Sequence, residues 1–499
     1  MSAFPGLQPD RYPGGLRSGQ DFLDALADDG RQIFIDGEAV RDVTRHPAFS
    51  GAARTLAELF DIARDPSHRE RMTFVSPSSG ERVNRIWQQP RSVEELNERR
   101  GAIELWAEHH LGFMGRAPDH VAGFFSGFAA EPEVLAQPGN EAFAHNAVAL
   151  YEFFRDNDVY VSYTIVPPQI DRSKPAHLQS PSDLYAGVVE ERDDGVIVRG
   201  AQMLGTGTVF SDCLHLSTIH PLQPGDENHA VSLAVACNSP GLKIYPRRSY
   251  ATTANSTFDY PLSSRFDETD ALVVFDDVFV PWEQIFVYKH LGAVRDQWFE
   301  TPAHVFGNNQ AQIRFLKKLQ FLIGLARIIT AMNGVAGLPP VQAQIAEMAV
   351  DAATYEGLID AQIARAAPNR NGIFVPHRQS HYAAMSLQSQ IYPRLLETLR
   401  ELSGGGMIQL PASADDLRSE DAGADIRRYV QSPEIDAEER VKLLKLAWDA
   451  VGSEFGGRHA QYEKFYAGAP FIVKTRFSWN YDFDSAENLV KRAMEKYSL

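Results

Sequence analysis

"LYAGVVEERDDGVIVRGAQML" (residues 184–204) is the stretch whose reading decides the fold. Two runs rich in β-branched residues, "VVEE" and "VIV", flank the turn letters Arg-Asp-Asp-Gly, a hairpin signal. The same character recurs in "VYVSYTIV" (159–166), "HAVSLAVAC" (229–237) and "ALVVFDDVFV" (271–280). No pattern of helical length separates these runs. That predicts an antiparallel sheet or barrel rather than βαβ units.

The flanks read as helices. Upstream, "TLAELFDIARDP" (55–66) starts at a Thr and stops before a Pro. Ser92 and Glu95 form a capping pair ahead of Leu96, Ile103, Trp106 and His110 at helical spacing, with Gly112 as the stop. Pro118 and Asp119 suit the start of the next helix, so "GRAPD" (115–119) reads as a tight helix–helix connection. Downstream, four long amphipathic stretches follow: 310–334, 339–368, 377–406 with a kink at Pro393, and 436–457. The expected class is α+β. A helical N-terminal domain (1–155) precedes a middle antiparallel β-barrel (156–290) and a C-terminal four-helix bundle with a tail (291–499).

Composition narrows the function. The 499-residue chain carries a formal net charge of -17, which weighs against nucleic acid or an anionic membrane as partner. Its two cysteines, Cys213 and Cys237, provide no disulfide scaffold and fit a reducing cytoplasm. The first fifteen residues hold no apolar leader core, and no run reaches the roughly 18 apolar residues of a membrane span. A cytoplasmic location is expected.

The common catalytic motifs are missing. His377 and His381 have the i, i+4 spacing of metal ligands but lack the Glu of H-E-x-x-H, so helix-surface histidines and no metal are expected. "GTGTVF" (205–210) lacks the third glycine of a dinucleotide loop, and no G-x-S-x-G occurs. "SEFGGRHAQYE" (453–463) pairs glycines with Arg458, either a phosphate contact or a helix interruption. Three loops gather polar groups. "VPPQIDRSKP" (166–175) holds Gln169 and Arg172. The segment 258–283 packs Arg265 among Asp259, Asp267 and Glu268. "TPAHVFGNNQAQ" (301–312) sets His304 just ahead of the first bundle helix. Singly, each reads rather as a structural feature: a loop ion pair, a strand-end salt bridge, a helix-entry histidine.

Taken together, the ordered segments resemble the oxygenase components of two-component flavin-dependent aromatic hydroxylases, the 4-hydroxyphenylacetate 3-monooxygenase family. They are "IDGEAVRDVTRHPAF" (35–49), "GFMGRAPDH" (112–120), "IVPPQIDRSKP", "FDYPLSSRFDETDALVVFDDVFVPWE" and "AWDAVGSEFGGRHAQYE". The resemblance implies an acyl-CoA dehydrogenase-like fold, a homotetramer and a separate flavin reductase. It implies FAD used as FADH2, which reacts with O2 to a C4a-hydroperoxyflavin that hydroxylates a phenol. By motif position it assigns Gln169, Arg172, Gly456, Gly457 and Arg458 to the flavin. Thr206 would stand near flavin N5, Arg116 would stabilise the phenolate or the peroxide, and Phe455 would stack on the substrate ring.

The departures inform the substrate. His120 falls where the hydroxyphenylacetate enzymes place a substrate-binding Tyr, and Tyr163 where they place a His. Both weigh against an arylacetate. "GRAPDH", "YTIVPPQIDRS" and "TPAHVF" look more like the chlorophenol and nitrophenol branch and its pigment-biosynthesis relatives. There a His matching His304 acts as base. Three rival functions stand beside this one. A 4-hydroxybutyryl-CoA dehydratase needs three cysteine ligands and two are present. An acyl-CoA dehydrogenase-like flavoenzyme would hold FAD tightly and oxidise its substrate directly. A non-catalytic binding protein leaves the co-occurrence of Arg116, Gln169, Arg172, Thr206 and Arg458 without a reason.

Overall fold

The computed structural model describes residues 12, 14–254 and 256–497. The strands, in chain order, are β1 (Gln32–Ile35), β2 (Glu38–Val40), β3 (Thr73–Val75), β4 (Arg82–Asn84), β5 (Val161–Thr164), β6 (Gly187–Arg192), β7 (Gly195–Gln202), β8 (Cys213–Leu216), β9 (Ser232–Ala236), β10 (Leu242–Pro246), β11 (Ala271–Pro281), β12 (Ile285–Val287), β13 (Ala367–Pro368) and β14 (Phe374–Val375). The opening stretch is the β6–β7 hairpin, with Arg192 opposite Gly195 across the turn. The expected barrel takes the form of two sheets, β2-β1-β10-β11-β7-β6 and β12-β9-β8-β5, both contributing to one buried core. A Val166–Met203 bridge outside the named strands joins β5 to the end of β7. Two pairs, β1–β10 and β5–β8, are parallel.

Strand β11 explains its own sequence. Ala271, Val273 and Phe275 face the core in alternation; a register shift then spans Asp276 and Asp277 before Val278 and Val280 resume it. Asp277 sits at φ +58, the left-handed conformation a bulge needs. The doubled Asp therefore keeps the apolar face in phase. β8 and β9 are buried on both faces, which is why "CLHL" and "SLAVA" show no polar alternation.

The capping pair opens its helix as read. Ser92 accepts from Glu95 N at the head of Val93–His109. Pro118 is the first residue of Pro118–Ala130. The bundle helices are Ala303–Met332, Pro339–Ala364, Arg378–Ser403 (with Pro393 inside it) and Ala437–Val451. Ala303–Met332 begins earlier than expected, so His304 lies in its first turn rather than ahead of it. Pro118–Ala130 runs against it in very close contact. A Cβ on Gly123 would stand 2.9 Å from the Gly307 backbone, and one on Gly127 would stand 2.2 Å from Ala303 Cα. That approach positions the site. Two features escaped the pattern reading: β1–β2, contributed by the mostly helical N-terminal block, and two tail helices, Pro470–Ser478 and Phe483–Met494.

Candidate active site

The site starts at the turn "GFMGRAPDH". Leu111 and Gly112 both take positive φ, and Arg314 donates to the Gly112 carbonyl at 3.0 Å. A side chain at Gly112 would meet the Arg314 carbonyl at 2.6 Å, so the turn lies flat on the long helix. Arg116 follows. Its backbone N–H donates to Glu268 at 2.8 Å, and its Nη2 donates to the Tyr466 carbonyl at 3.2 Å. Its guanidinium lies 5.3 Å from the ring centres of both Tyr163 and Tyr462. Nη1 is buried without a hydrogen-bond partner.

An acidic segment ties the turn to the sheet. Glu268 accepts from Arg458 Nη1 at 3.0 Å. Asp270 accepts from Arg458 at 2.6 and 3.0 Å, from Arg247 at 3.0 Å and from the Thr206 hydroxyl at 2.7 Å. Burial alone would raise the Asp270 pKa; Arg458 and Arg247 reverse this and hold it well below the usual carboxylate range. Gly207, at φ +78, brings the Thr206 loop against the turn: a Cβ there would lie 3.5 Å from the Arg116 carbonyl. Arg116, Thr206 and Arg458 are thus brought together around Glu268–Asp270.

His120 stands on the first turn of Pro118–Ala130, tilted against Tyr163 at 5.5 Å between ring centres. Its Nδ1 meets Gln310 Oε1 at 3.1 Å, and the Gln310 amide donates to Asp119 at 2.9 Å. Burial and Arg116 push the His120 pKa well down, so the ring is neutral. Its Nε2 is buried without a partner.

His304 is placed differently. Its Nδ1 lies 3.3 Å from the Tyr382 hydroxyl, and Arg476, from Pro470–Ser478, reaches its Nε2 at 3.4 Å. Burial and Arg476 drive its pKa well down. An arginine only donates, so it occupies the lone pair that a base needs. Both ring nitrogens of His304 are thus engaged, one by Tyr382 and the other by Arg476.

Other expectations are also redirected. Arg458 pairs with two carboxylates, Glu268 and Asp270, and so holds the acidic segment. Arg265 does not organise Asp259, Asp267 and Glu268; those pair with Lys445, Arg247 and Arg458, and Arg265 lies over Phe266. Phe455 is packed in the core against Phe113 and His459. Gln169 and Arg172 lie exposed on the loop that leaves the Val166–Met203 bridge, three residues before Thr206. Gly456 lies in the first turn of the Glu454–Phe465 helix, its N–H capped by Ser453, and Gly457 faces open space. His377 caps Arg378–Ser403, and His381 is buried among Gln312 and Gln362.

Sequence reasoning missed Gln310, Asp270, Tyr462 and Arg476. The signal for Gln310 was available. "AHVFGNNQAQIR" sets His, Asn, Gln and Arg in a helix segment buried on every face, which demands polar partners inside.

The comparisons with known proteins agree on one family. Its two parts, "4-hydroxyphenylacetate 3-hydroxylase N terminal" and "4-hydroxyphenylacetate 3-hydroxylase C terminal", match residues 18–287 and 294–495. The chain is 35% identical to the pyoverdin chromophore biosynthetic protein PvcC of Pseudomonas aeruginosa, over 98% of this chain and 97% of that one. It is 34% identical to the oxygenase component of a Rhodococcus 4-nitrophenol 2-monooxygenase, over 96% and 91%. The crystal structure of a 4-hydroxyphenylacetate 3-monooxygenase oxygenase component, complexed with FAD and 4-hydroxyphenylacetate, superposes with a TM-score of 0.91 at 31% identity, covering 96% of this chain and 98% of that one.

Proposed function

The chain belongs to the 4-hydroxyphenylacetate 3-hydroxylase family, and from that premise we propose how its residues serve a phenol. It is the oxygenase component of a two-component, FADH2-dependent aromatic monooxygenase with an acyl-CoA dehydrogenase-like fold. When bound, reduced FAD supplies the two electrons that split O2, one oxygen atom entering the ring and the other leaving as water.

The residues present fit that cofactor. Thr206 gives its single hydroxyl hydrogen to Asp270, so it offers only lone pairs elsewhere, matching a reduced flavin whose N5 carries hydrogen. Gln169 and Arg172 on their exposed loop, with Gly457 exposed in the first turn of the Glu454–Phe465 helix, are available to the rest of the molecule. Arg458 acts on Thr206 through Asp270 rather than on the cofactor.

One observation carries the substrate reading. Arg116 Nη1 and His120 Nε2 are both buried without partners, on side chains that flank the same Tyr163 ring. A phenol satisfies both, its oxygen between them and its ring against Tyr163. The oxygen must approach phenolate to make the ring electron-rich. Ionising a free phenol at pH 7 costs roughly 4 kcal/mol, taking tyrosine as the model. A cation within contact offsets about 1–3 pKa units of that. Phe124 and Tyr163 against His120 keep the region dry.

A separate flavin reductase supplies FADH2, and the protein assembles as a homotetramer. The self-association is supported by the tail, where Phe471, Trp479, Phe483, Leu489 and Val490 are exposed. Two free, buried cysteines accord with a reducing cytoplasm, and among the described residues no helix is long and apolar enough to cross a membrane. The test is a panel of phenols with neutral or carboxylate side chains, supplied with chemically reduced FAD and O2. Hydroxylated product from neutral phenols is expected. Hydrogen peroxide alone from every phenol would overturn the reading.

A further inference from the structure

We propose that His120, not His304, takes the proton from the bound phenol, and that Asp119 and Gln310 fix it in the one tautomer able to do so. The inference rests on the phenol-hydroxylase reading above and adds the identity of the base.

Gln310 has two ends. Its amide nitrogen donates to Asp119 at 2.9 Å, which leaves its carbonyl oxygen facing His120 Nδ1 at 3.1 Å. A carbonyl oxygen only accepts, so Nδ1 carries the hydrogen. A neutral imidazole has one hydrogen; Nε2 is therefore a bare lone pair. That lone pair is buried and unmatched. A buried acceptor with nothing to accept is costly, and a hydroxyl donor resolves it.

The neighbours complete the arrangement. Arg116 lies against the same Tyr163 ring, with Nη1 free. In the step itself the phenolic O–H bond breaks, its proton passes to His120 Nε2 and its electron pair stays on oxygen, opposite the Arg116 cation. The imidazolium so formed is steadied through Gln310 by Asp119. His304 lacks these features. Arg476 occupies its Nε2 and the Tyr382 hydroxyl its Nδ1. Close helix packing at Gly123 and Gly307 is what brings Gln310 within reach of His120.

The probe is 4-nitrophenol, whose absorbance reports its own ionisation, bound to the full-length protein without turnover. 4-Nitroanisole, which has no proton to give, measures packing separately. The wild type should bind 4-nitrophenol as phenolate below the probe's solution pKa. His120→Asn keeps a partner for Gln310 but removes Nε2. It should bind nitroanisole unchanged and raise the bound probe's apparent pKa by about one unit or more. Gln310→Met, a change to a positioning residue, should shift the same titration part of the way. His304→Gln should leave it alone. A phenolate spectrum retained in His120→Asn, or lost in His304→Gln, overturns the proposal. Failure of the wild type to bind nitrophenol at all would instead overturn the substrate reading beneath it.

Discussion

Replacing Glu463 by Gln probes the foundation under the Arg116 turn. Glu463 is fully buried and accepts from Arg314 at 2.9 Å, Lys318 at 2.6 Å and Gln388 at 2.7 Å. Both cations are fully buried as well. Burial would raise the Glu463 pKa, but Arg314 and Lys318 hold it down at about 2, while burial brings Lys318 down to about 7. The variant leaves two buried cations without their anion, a loss of about 3–5 kcal/mol. At roughly 2.1 cal/mol/K per residue, a cooperative unit of this length unfolds with an entropy near 1 kcal/mol/K. The transition temperature should therefore fall by about 3–5 °C at pH 6, read by calorimetry at a fixed scan rate. The sign with pH follows from Lys318. Its pKa drops further once the anion is gone, so it sheds its proton earlier, and the deficit should shrink as pH rises towards 7. Replacing all three groups by Met, Met and Leu should recover most of the loss. A single variant that melts within 1 °C of wild type at pH 6, by the same yardstick, would refute the reasoning.

Four further outcomes are expected. Arg116→Met keeps the packing against Tyr163 and Tyr462 but removes the cation; phenolate affinity should fall by roughly 10- to 1,000-fold while nitroanisole binding holds, by equilibrium titration. Thr206→Val removes the acceptor offered to flavin N5, so the ratio of hydroxylated product to hydrogen peroxide should drop; an unchanged ratio counts against its role. Asp119 is raised to about 7 chiefly by burial, against Arg99 and Arg314, with Gln310 and His120 as polar neighbours and Arg116 beyond. Below that pH a protonated Asp119 lets the Gln310 amide turn over, so phenol ionisation should be lost as pH falls through 7, and Asp119→Asn should flatten that limb of the titration. Deleting the chain after Gly468 removes the exposed tail residues and Arg476; light scattering should report a smaller assembly.

The parts of the molecule that were legible in the sequence are those fixed by local chemistry. Arg-Asp-Asp-Gly makes its hairpin from its own residues, Ser92 caps its own helix, and Pro118 opens the next. Gly207, next to Thr206, stands close to the Arg116 carbonyl. What the sequence withheld depends on distant encounters. Glu268 reads as part of a strand-end cluster and Asp270 draws no reading at all; the meaning of both comes from Arg458, some 190 residues away. Phe455 has the composition of a stacking ring, and only packing against Phe113 assigns it to the core. His304 looked free because Arg476 arrives from a tail helix with no strong pattern of its own. Gln310 announced a need for partners without naming them, and Asp119 and His120 answer it across a helix contact that glycines make close.

The central claim is that this chain moves one oxygen atom from O2 to a phenol using FADH2 supplied from outside. The direct measurement is a single turnover with chemically reduced FAD, no reductase, 18O2 and a neutral phenol, followed by mass spectrometry of the product. The account predicts a hydroxylated phenol carrying one 18O atom. Product oxygen drawn from water, or O2 recovered wholly as hydrogen peroxide with every phenol offered, would contradict it.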